Sequence, residues 1–266
     1  MDLKDAVCIV TGSATGVGAA CAIGLARKGA RVVVNFTRSE QAARDTAEAC
    51  RSAGGEAVLA QGDVSSDGDC RRIAQVALDR WGKIDGLINN AGITKFAAAD
   101  DLHALSADDW HALYAVNVLG PFQMIRACEP AMRAAGRGSV VNVSSTSGIT
   151  GLGSSTAYAA TKGALNTLTL SLARALAPTI RVNAVAPGLV DTRWHADRYE
   201  DPAAYDKFLE AYRNKVPLGT IAQGDDIAEV AVWLLEGARH VTGEIVVADG
   251  GVHLGKSPAS LTARKP

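Results

Sequence analysis

Short apolar runs alternate with longer alanine-rich segments along most of this chain. The short runs are rich in β-branched residues and are apolar at consecutive positions rather than at every second one. This pattern is typical of strands that are buried on both faces of a parallel sheet. It predicts seven strands, at residues 6–10, 31–35, 57–60, 84–88, 139–143, 180–185 and 244–248.

The segments between these runs have the apolar spacing of helices. Helices are predicted at residues 17–28, 40–53, 67–81, 110–135 and 156–177. Strands that alternate with helices, joined by right-handed crossovers, predict a doubly wound α/β fold of Rossmann type, with helices on both faces of a seven-stranded parallel sheet.

No linker rich in Gly, Pro or Ser and no internal repeat divides the chain, so we expect a single domain over residues 1–255. Residues 256–266 are predicted to form a disordered tail. The segment at about 189–217 also breaks the rhythm, and five of the thirteen Phe, Trp and Tyr residues lie between 194 and 212. This enrichment favours a mobile, apolar lid over a substrate; the alternative is a local helix packed on the body of the domain.

Composition and charge exclude several classes of protein. The net charge of −1 provides no basic surface for nucleic acid or for an anionic membrane. The first apolar run is too short to cross a bilayer, and the N-terminus does not resemble a signal peptide. The five cysteines are scattered without a Cys-x-x-Cys pair, and the five histidines show no metal-ligand spacing. We therefore expect a cytoplasmic protein with free thiols and no metal.

A glycine-rich turn follows the first predicted strand and opens the first helix. Glycines allow a backbone to approach a pyrophosphate closely, and a helix N-terminus offers free N–H groups to phosphates. The spacing Gly-x-x-x-Gly-x-Gly departs from the usual dinucleotide fingerprint, so a structural turn is the alternative. The candidate cofactor contacts in this turn are Gly12, Ser13, Thr15, Gly16, Val17 and Gly18.

Further motifs follow in a specific order: Asn89-Asn90-Ala91-Gly92, an isolated Asn117, Ser145, Tyr158-Ala-Ala-Thr-Lys162 and Pro187-Gly188. Together with the glycine turn they resemble the short-chain dehydrogenase/reductase family over roughly residues 5–254. The resemblance implies hydride transfer between a nicotinamide cofactor and a carbonyl or alcohol carbon. It also implies that Asn117, Ser145, Tyr158 and Lys162 form the catalytic tetrad.

Tyr158 and Lys162 are four residues apart, so a helix would place them on one face. A phenol with a pKa near 10 is a poor acid or base at neutral pH, but a nearby ammonium and the nicotinamide cation favour its phenolate. We therefore expect a lowered pKa for Tyr158, which would act as general acid in reduction and as base in oxidation.

Ser145, thirteen residues before Tyr158 as in the family, would stabilise charge on the substrate oxygen, and its neighbour Ser144 is the rival for that role. Asn117 lies inside a predicted helix, where asparagine is unfavourable unless it has a specific partner. The family implies that it orders a water and Lys162 in a proton relay; a structural, helix-kinking asparagine is the alternative.

The segment after the second strand distinguishes NAD from NADP. By comparison with NAD-using relatives, the usual acidic position is Phe36, which would not repel a 2′-phosphate. Possible phosphate ligands nearby are Asn35, Thr37, Arg38 and Ser39. Thr15 counts against NADP, because many NADPH-dependent members carry Arg or Lys there. We expect NADP(H) rather than NAD(H).

The resemblance implies further cofactor contacts. Asp63 and Val64 would contact the adenine, although Asp63 could instead be a helix-capping residue. The nicotinamide side of the predicted site comprises Asn90, Ala91, Gly92, Tyr158, Lys162, Pro187, Gly188, Val190 and Thr192. Val190 would hold the carboxamide through its backbone and Thr192 through its hydroxyl.

Three functions remain open at this stage. The first is NADPH-dependent reduction of a ketone or a 3-oxoacyl thioester, although the basic residues that carrier-linked members tend to carry near 175–179 are absent here. The second is oxidation of a sugar, polyol or secondary alcohol. The third is a cofactor-binding regulator without turnover, against which the complete tetrad argues. The family also implies a homotetramer and a small-molecule substrate.

Overall fold

A seven-stranded parallel sheet forms the centre of the computed structural model, which describes residues 1–255. The strands are β1 (Val7–Val10), β2 (Arg31–Phe36), β3 (Glu56–Gln61), β4 (Gly86–Asn89), β5 (Gly138–Val143), β6 (Ile180–Pro187) and β7 (Ile245–Ala248). Their order is β3-β2-β1-β4-β5-β6-β7, and every neighbouring pair is parallel. The predicted fold is confirmed. The predicted tail, 256–266, lies outside the described residues.

Ten α-helices connect or flank the strands in the described part of the chain. They are α1 (Gly16–Ala26), α2 (Glu40–Ser52), α3 (Asp67–Trp81), α4 (Ala107–Tyr114), α5 (Gly120–Ala134), α6 (Ser147–Thr150), α7 (Thr156–Leu176), α8 (Arg193–Ala196), α9 (Pro202–Arg213) and α10 (Gly224–Glu236). A π-helical turn, Ala115–Leu119, joins α4 to α5, and a 3-10 turn, Val252–Leu254, follows β7. None of these helices is long and apolar enough to cross a membrane.

Two apolar cores cover the two faces of the sheet. Along β1, Cys8 and Val10 belong to the core shared with α1, α2 and α10, whereas Val7 and Ile9 belong to the core shared with α3, α5 and α7. All four residues are fully buried, which explains why the strand is apolar at consecutive positions. The five cysteines are all buried free thiols, and burial raises the pKa of Cys50 to about 11.

The strand order reverses beside β1, because β2 lies on one side of it and β4 on the other. In a doubly wound sheet, a crevice opens at this point outside the carboxyl ends of the strands, and ligands bind there. The glycine turn, Asn90, Ser145 and Gly188 each follow the carboxyl end of one of the central strands. The topology therefore brings the predicted site residues to one edge of the sheet.

At the amino-terminal ends of the strands, opposite the predicted site residues, the Arg181 side chain joins α10 to the sheet. Its guanidinium donates hydrogen bonds to the carbonyl groups of Leu234, Leu235 and Val241 at 2.9–3.1 Å and to the hydroxyl of Ser139 at 3.0 Å. These carbonyls lie at and after the last turn of α10, where they have no helical partner. Because α10 packs against α1, this anchor also supports the helix that carries the glycine turn.

We predict that Arg181→Lys lowers the free energy of unfolding by about 2 kcal/mol, because lysine cannot reproduce the planar fork of charged donors. Urea denaturation followed by circular dichroism measures the effect. Arg174→Lys is the control, since Arg174 is exposed and forms no side-chain hydrogen bond or ion pair within residues 1–255. Equal loss of stability in both variants would contradict the assigned anchor.

Candidate active site

The turn Thr11–Gly18 needs glycine for close packing as well as for its backbone angles. Gly12 and Gly16 have φ values of +60° and +59°. A Cβ atom on Gly12 would lie 2.8 Å from the Cα of Ala91, and one on Gly18 would lie 2.4 Å from the side-chain nitrogen of Asn90. These distances leave no room for a side chain, so the turn presses directly on the segment that follows β4.

Thr11 and Asn90 hold the turn to that segment. The Thr11 hydroxyl accepts hydrogen bonds from the backbone N–H groups of Asn90 and Ala91, both at 3.0 Å. In return, the Asn90 amide donates to the carbonyl groups of Thr11 and Gly12, also at 3.0 Å. Sequence reasoning did not single out Thr11, although a threonine directly before the first glycine of the turn was the available signal.

The N-terminus of α1 is open to an anion. Thr15 at its N-cap makes no side-chain capping bond, and its first turn contains no acidic residue. The first N–H groups and the positive end of the helix dipole therefore meet the predicted phosphate position without competition from a carboxylate. Thr15 and Gly16 are exposed and Val17 is half-buried. The turn thus has the shape and the charge that a pyrophosphate requires.

Ser13 and Asn35 support the turn from inside the protein. Ser13 is fully buried; its hydroxyl donates to the carbonyl of Val10 at 2.7 Å and accepts from the backbone N–H of Asn35 at 3.0 Å. The Asn35 side chain accepts from the N–H of Gly12 at 3.0 Å and donates to the carbonyls of Ala60 and Gly62 at 3.0 and 3.1 Å.

These contacts correct the sequence-based prediction for the side chains of both residues. Asn35 was expected to bind a 2′-phosphate and Ser13 to contact the cofactor, but their polar atoms are directed into the protein. The physical reason is that a buried amide or hydroxyl without a partner is costly, and the carbonyls and N–H groups of three neighbouring segments supply partners here.

The residues after β2 remain available to a ligand. Phe36 is buried in the core and brings no charge to this position, whereas Thr37, Arg38 and Ser39 are exposed. The Thr37 hydroxyl lies 3.5 Å from the carbonyl of Gly62. Within residues 1–255 the Arg38 guanidinium forms no ion pair and no hydrogen bond. It is therefore a free cation beside the glycine turn.

Asp63 forms a tight turn after β3. One of its carboxylate oxygens accepts from the backbone N–H and the hydroxyl of Ser65, at 2.9 and 2.8 Å. The N-cap of α3 is Ser66 rather than Asp63, so the predicted capping alternative is wrong for Asp63. Val64 is buried, and its carbonyl accepts from the side chain of Gln123. Contact of Asp63 and Val64 with an adenine ring stays a prediction.

Ser145, Tyr158 and Lys162 come together at the carboxyl end of β5. Tyr158 and Lys162 lie one turn apart on α7, and the lysine ammonium is 5.6 Å from the centroid of the tyrosine ring. Ser145 lies beside Tyr158, where its hydroxyl counteracts the effect of burial on the tyrosine pKa, and it donates a hydrogen bond to the hydroxyl of Ser147 at 3.1 Å. Its rival, Ser144, is directed instead at Asn166, with a hydroxyl–amide oxygen distance of 2.6 Å. The structure therefore assigns the position beside Tyr158 to Ser145.

Burial controls the acid–base properties of this cluster. It raises the pKa of Tyr158 to about 12, while the hydrogen bond with Ser145 acts in the opposite direction. Burial lowers the pKa of Lys162 to about 8. The expected lowering for Tyr158 depends on the nicotinamide cation as well as on the ammonium, and it stays a prediction for the protein with bound cofactor; in the chain by itself, desolvation of the phenolate is the largest effect. At neutral pH Tyr158 carries its proton and Lys162 is mostly charged.

The Lys162 ammonium is also held in place. It donates to the carbonyl of Val143 at 2.8 Å, and a Cβ on Gly92 would come within 3.8 Å of it. Gly92 therefore lets the segment after β4 pass close to the lysine.

Asn117 lies in the π-helical turn between α4 and α5. In a regular helix its carbonyl would accept from the residue four positions later, which is Pro121 and has no N–H. Its buried amide accepts from the N–H of Ile93 and donates to the carbonyl of Ile93, both at 2.9 Å, and donates to the hydroxyl of Thr161 at 3.1 Å. Asn117 therefore joins the segment after β4 to α7, and Pro121 was the sequence signal for the π turn.

The segment after β6 passes over the glycine turn. A Cβ on Gly16 would lie 3.6 Å from the methyl group of Thr192. Val190 is held by a parallel bridge to Ala222, and Pro187 ends β6 with its carbonyl accepting from the backbone N–H of Thr146 at 2.9 Å. A ligand bound on the glycine turn would therefore be flanked by the predicted nicotinamide segment.

The lid segment, defined as residues 189–217, contains two helices, α8 and α9. The Trp194 ring lies 6.2 Å from that of Tyr158, so this segment reaches the catalytic tyrosine. Its other rings pack on one another with Phe96, at centroid distances of 5.4–6.5 Å; they are His195, Tyr199, Tyr205, Phe208 and Tyr212. Local packing of these rings agrees with the alternative of a helix packed on its surroundings, and the role of the segment as a substrate lid stays a prediction. Mobility of this segment stays a prediction.

We predict that Asn35→Ala lowers the free energy of unfolding by about 3 kcal/mol, because it leaves the Gly12 N–H and two buried carbonyls without partners. Thermal denaturation measures the change. Asn214→Ala is the matched control at an exposed helix end. A stability close to that of the wild type in Asn35→Ala would show that the amide does not support the turn.

Comparison with known proteins agrees with this geometry. The family model described as enoyl-(acyl carrier protein) reductase matches residues 12–253. A protein of Streptomyces violaceoruber that is named as ketoacyl reductase 2 of the granaticin polyketide synthase is 38% identical over 93% of this chain and 96% of its own length. A 3β-hydroxysteroid dehydrogenase of Eggerthella lenta is 35% identical over 95% of each chain.

Solved structures show the same fold over nearly the whole chain. A short-chain dehydrogenase/reductase from Burkholderia xenovorans superposes with a TM-score of 0.87 and is 40% identical, with 94% of this chain and 99% of that chain covered. A short-chain alcohol dehydrogenase from Sinorhizobium meliloti has a TM-score of 0.85 and 31% identity, with 96% and 99% covered. With the tetrad and the glycine turn in place, this chain belongs to the short-chain dehydrogenase/reductase family of oxidoreductases, which bind a nicotinamide cofactor.

Proposed function

We propose that this protein is an NADP(H)-dependent reductase of a ketone or 3-oxoacyl-type carbonyl. The observation that carries the proposal is the meeting of Ser145, Tyr158 and Lys162 at the carboxyl end of β5, with the half-buried Tyr158 protonated at neutral pH. A protonated phenol at a carbonyl oxygen is the group that reduction requires. The relative named as a ketoacyl reductase points in the same direction.

The cofactor fits the cradle formed by this chain. The glycine turn would hold the pyrophosphate at the N-terminus of α1, and Val190 and Thr192 would hold the carboxamide. Bound there, the reduced nicotinamide supplies the hydride that reaches the substrate carbon. Tyr158 then donates its proton to the carbonyl oxygen, and Ser145 donates a hydrogen bond to the same oxygen as charge develops on it.

Lys162 and Asn117 support this proton transfer. The charged Lys162 stabilises the phenolate that Tyr158 becomes once it has given up its proton. Asn117 fixes the backbone of Ile93 against α7, close to the lysine ammonium, and we assign it to the proton relay that restores Tyr158. In the oxidative direction the same groups work in reverse, with Tyr158 as the base.

Two features support NADP over NAD. The buried Phe36 occupies the position where an acidic residue would repel a 2′-phosphate, and the exposed Arg38 has no carboxylate partner within residues 1–255. An arginine beside a phosphate forms short, charge-assisted hydrogen bonds. Thr37 and Ser39 are exposed on the same segment and would add hydroxyl donors.

A second candidate function is oxidation of a secondary alcohol, sugar or polyol with NAD(P). The relative named as a 3β-hydroxysteroid dehydrogenase favours this reading of the site. The chemistry of the tetrad is the same in both directions, so the ratio of oxidised to reduced cofactor decides the direction.

We also propose a cytoplasmic homotetramer. Large apolar side chains are exposed on neighbouring helices away from the active site; they include Leu119, Phe122 and Leu170. Such side chains are typical of surfaces that another subunit covers. Size-exclusion chromatography with light scattering tests this assembly directly.

Calorimetric measurement of NADPH and NADH binding to the purified protein tests the cofactor assignment. Consumption of NADPH in the presence of ketones and 3-oxoacyl thioesters tests the activity. Preferential binding of NADPH with reduction of such a carbonyl would support the proposal. Preference for NADH would refute the cofactor assignment, and binding without any turnover would favour a regulator.

We predict that Tyr158→Phe lowers kcat by at least about 100-fold while NADPH still binds, because the variant loses the proton donor and keeps the ring. Steady-state kinetics and calorimetry measure the two effects. Tyr114→Phe, which removes an exposed hydroxyl from α4, should retain full activity. Wild-type activity in Tyr158→Phe would rule out the acid role.

We predict that Arg38→Ala raises the Kd for NADPH by about 10- to 100-fold and leaves that for NADH nearly unchanged, since only NADPH carries a phosphate at that position. Arg27→Ala, at the far end of α1, controls for loss of a surface charge. By contrast, Asn35→Ala should weaken both cofactors alike, because it loosens the turn. Equal losses with Arg38→Ala would show that Arg38 does not contact the 2′ position.

A further inference from the structure

Four large apolar side chains are exposed on three segments that neighbour the predicted catalytic residues. The exposed fractions are 39% for Ile93, 52% for Ile149, 76% for Leu152 and 39% for Trp194. Single exposed apolar side chains are common, but several on one small surface mark a binding site. We call these four residues the apolar rim.

Contacts between three segments bring the rim together. The hydroxyl groups of Thr94 and Ser154 are hydrogen-bonded, and the N–H of Ala97 donates to the carbonyl of Ser154 at 2.9 Å. These bonds join the loop of Ile93 to the loop that carries Ile149 and Leu152. That second loop packs on the catalytic residue, because a Cβ on Gly153 would lie 3.5 Å from the Tyr158 ring.

Trp194, on the lid segment, is the rim residue from the third segment. Its ring centroid lies 6.2 Å from that of Tyr158. Its neighbour His195 lies between Phe96 and Phe208, with both centroid distances 6.1 Å. Burial and the nearby Arg198 lower the pKa of His195 to about 4, so the imidazole is neutral in the cell. At Trp194 and His195, the side chains of the lid segment are therefore uncharged.

Three basic side chains close in sequence to the rim residues are Lys95, Arg193 and Arg198, and the first two are paired with carboxylates. The Lys95 ammonium is 2.7 Å from the carboxylate of Asp109, and the Arg193 guanidinium is 3.5 Å from that of Asp197. Arg198 stacks on the Phe96 ring, with 3.6 Å from its guanidinium carbon to the ring centroid. Arg198 is exposed and is the one group in this set that an anionic substrate could still use.

We propose that the substrate is a bulky, uncharged ketone or secondary alcohol whose hydrocarbon ring or branched body packs on the apolar rim. The proposal rests on the function proposed above and names the class of molecule on which it acts. Trp194 is its main specificity-determining residue, because its ring both flanks Tyr158 and remains exposed. A small polyhydroxylated compound would leave the apolar side chains of the rim in contact with water, and these side chains offer it few hydrogen-bonding groups.

Three ketones distinguish this substrate class from its competitors. They are 2-decalone, which is bulky and neutral, hydroxyacetone, which is small and polar, and 4-oxocyclohexanecarboxylate, which carries a charge. With NADPH as reductant, we expect kcat/KM for 2-decalone to exceed that for hydroxyacetone by about 100-fold or more, since each methylene accepted by an apolar site changes the ratio severalfold. We expect 4-oxocyclohexanecarboxylate to be reduced less efficiently than 2-decalone.

Trp194→Ala should raise KM for 2-decalone about 10-fold with kcat nearly unchanged, because the lost contact is present in both ground and transition states. With hydroxyacetone, the same variant should change kcat/KM by a much smaller factor than with 2-decalone. Trp233→Ala is the matched control, since Trp233 is similarly exposed on α10 at the opposite edge of the sheet. Leu152→Asn, at the most exposed position of the rim, should change KM in the same direction as Trp194→Ala.

Two results would overturn the inference alone: equal or better reduction of hydroxyacetone or of the carboxylate, or an equal loss for all substrates in Trp194→Ala. A preference for 4-oxocyclohexanecarboxylate that disappears in Arg198→Ala would show that the protein acts on an anionic substrate rather than a neutral one. If NADPH binds and none of the three ketones is reduced, the proposed reductase activity itself is refuted, and the inference with it.

Discussion

The close contact between the glycine turn and the segment after β4 is the constraint on which the rest of the site depends. Gly12 brings the two backbones within a distance that excludes a side chain, and Gly18 leaves room for the Asn90 amide. Thr11 and Asn90 join the two segments by reciprocal hydrogen bonds. This contact places the open N-terminus of α1 at the crevice between β1 and β4. It also fixes the start of the segment that leads through Gly92 to the catalytic lysine.

Hydrogen-bonded side chains carry this constraint outward from the crevice. Asn35 ties the turn to β3, while Asn117 ties Ile93 to α7 through Thr161. In each case a buried side-chain amide forms hydrogen bonds with two other segments. Breaking these bonds is costly because the groups left without partners are shielded from water. The catalytic side chains therefore project from a surface whose positions are set by polar contacts as well as by the apolar core.

Much of the fold was predictable from local pattern. All seven strands were placed to within two residues at nearly every end, because fully buried strands produce uninterrupted β-branched runs. Helix α10 and the four-residue helices α6 and α8 were not predicted. For the segment that contains α9, a local helix was only one of two alternatives, because aromatic residues in a polar stretch have no clear helical period. One continuous helix was predicted through Asn117, where the structure has a π turn. Pro121 has no backbone N–H, so the donor that a regular helix needs at that position is missing.

The sequence by itself determined the seven-stranded fold and the family and named the candidate tetrad, because these depend on residue types at specific spacings. Only the tertiary structure decided what each polar group faces. It directed Asn35 and Ser13 inward, selected Ser145 over Ser144, left Arg38 free and brought Trp194 against Tyr158. It also set the burial that raises the pKa of Tyr158 in the chain by itself. The physical reason is that hydrogen-bond partners and burial arise between segments far apart in the chain, and no local pattern records them.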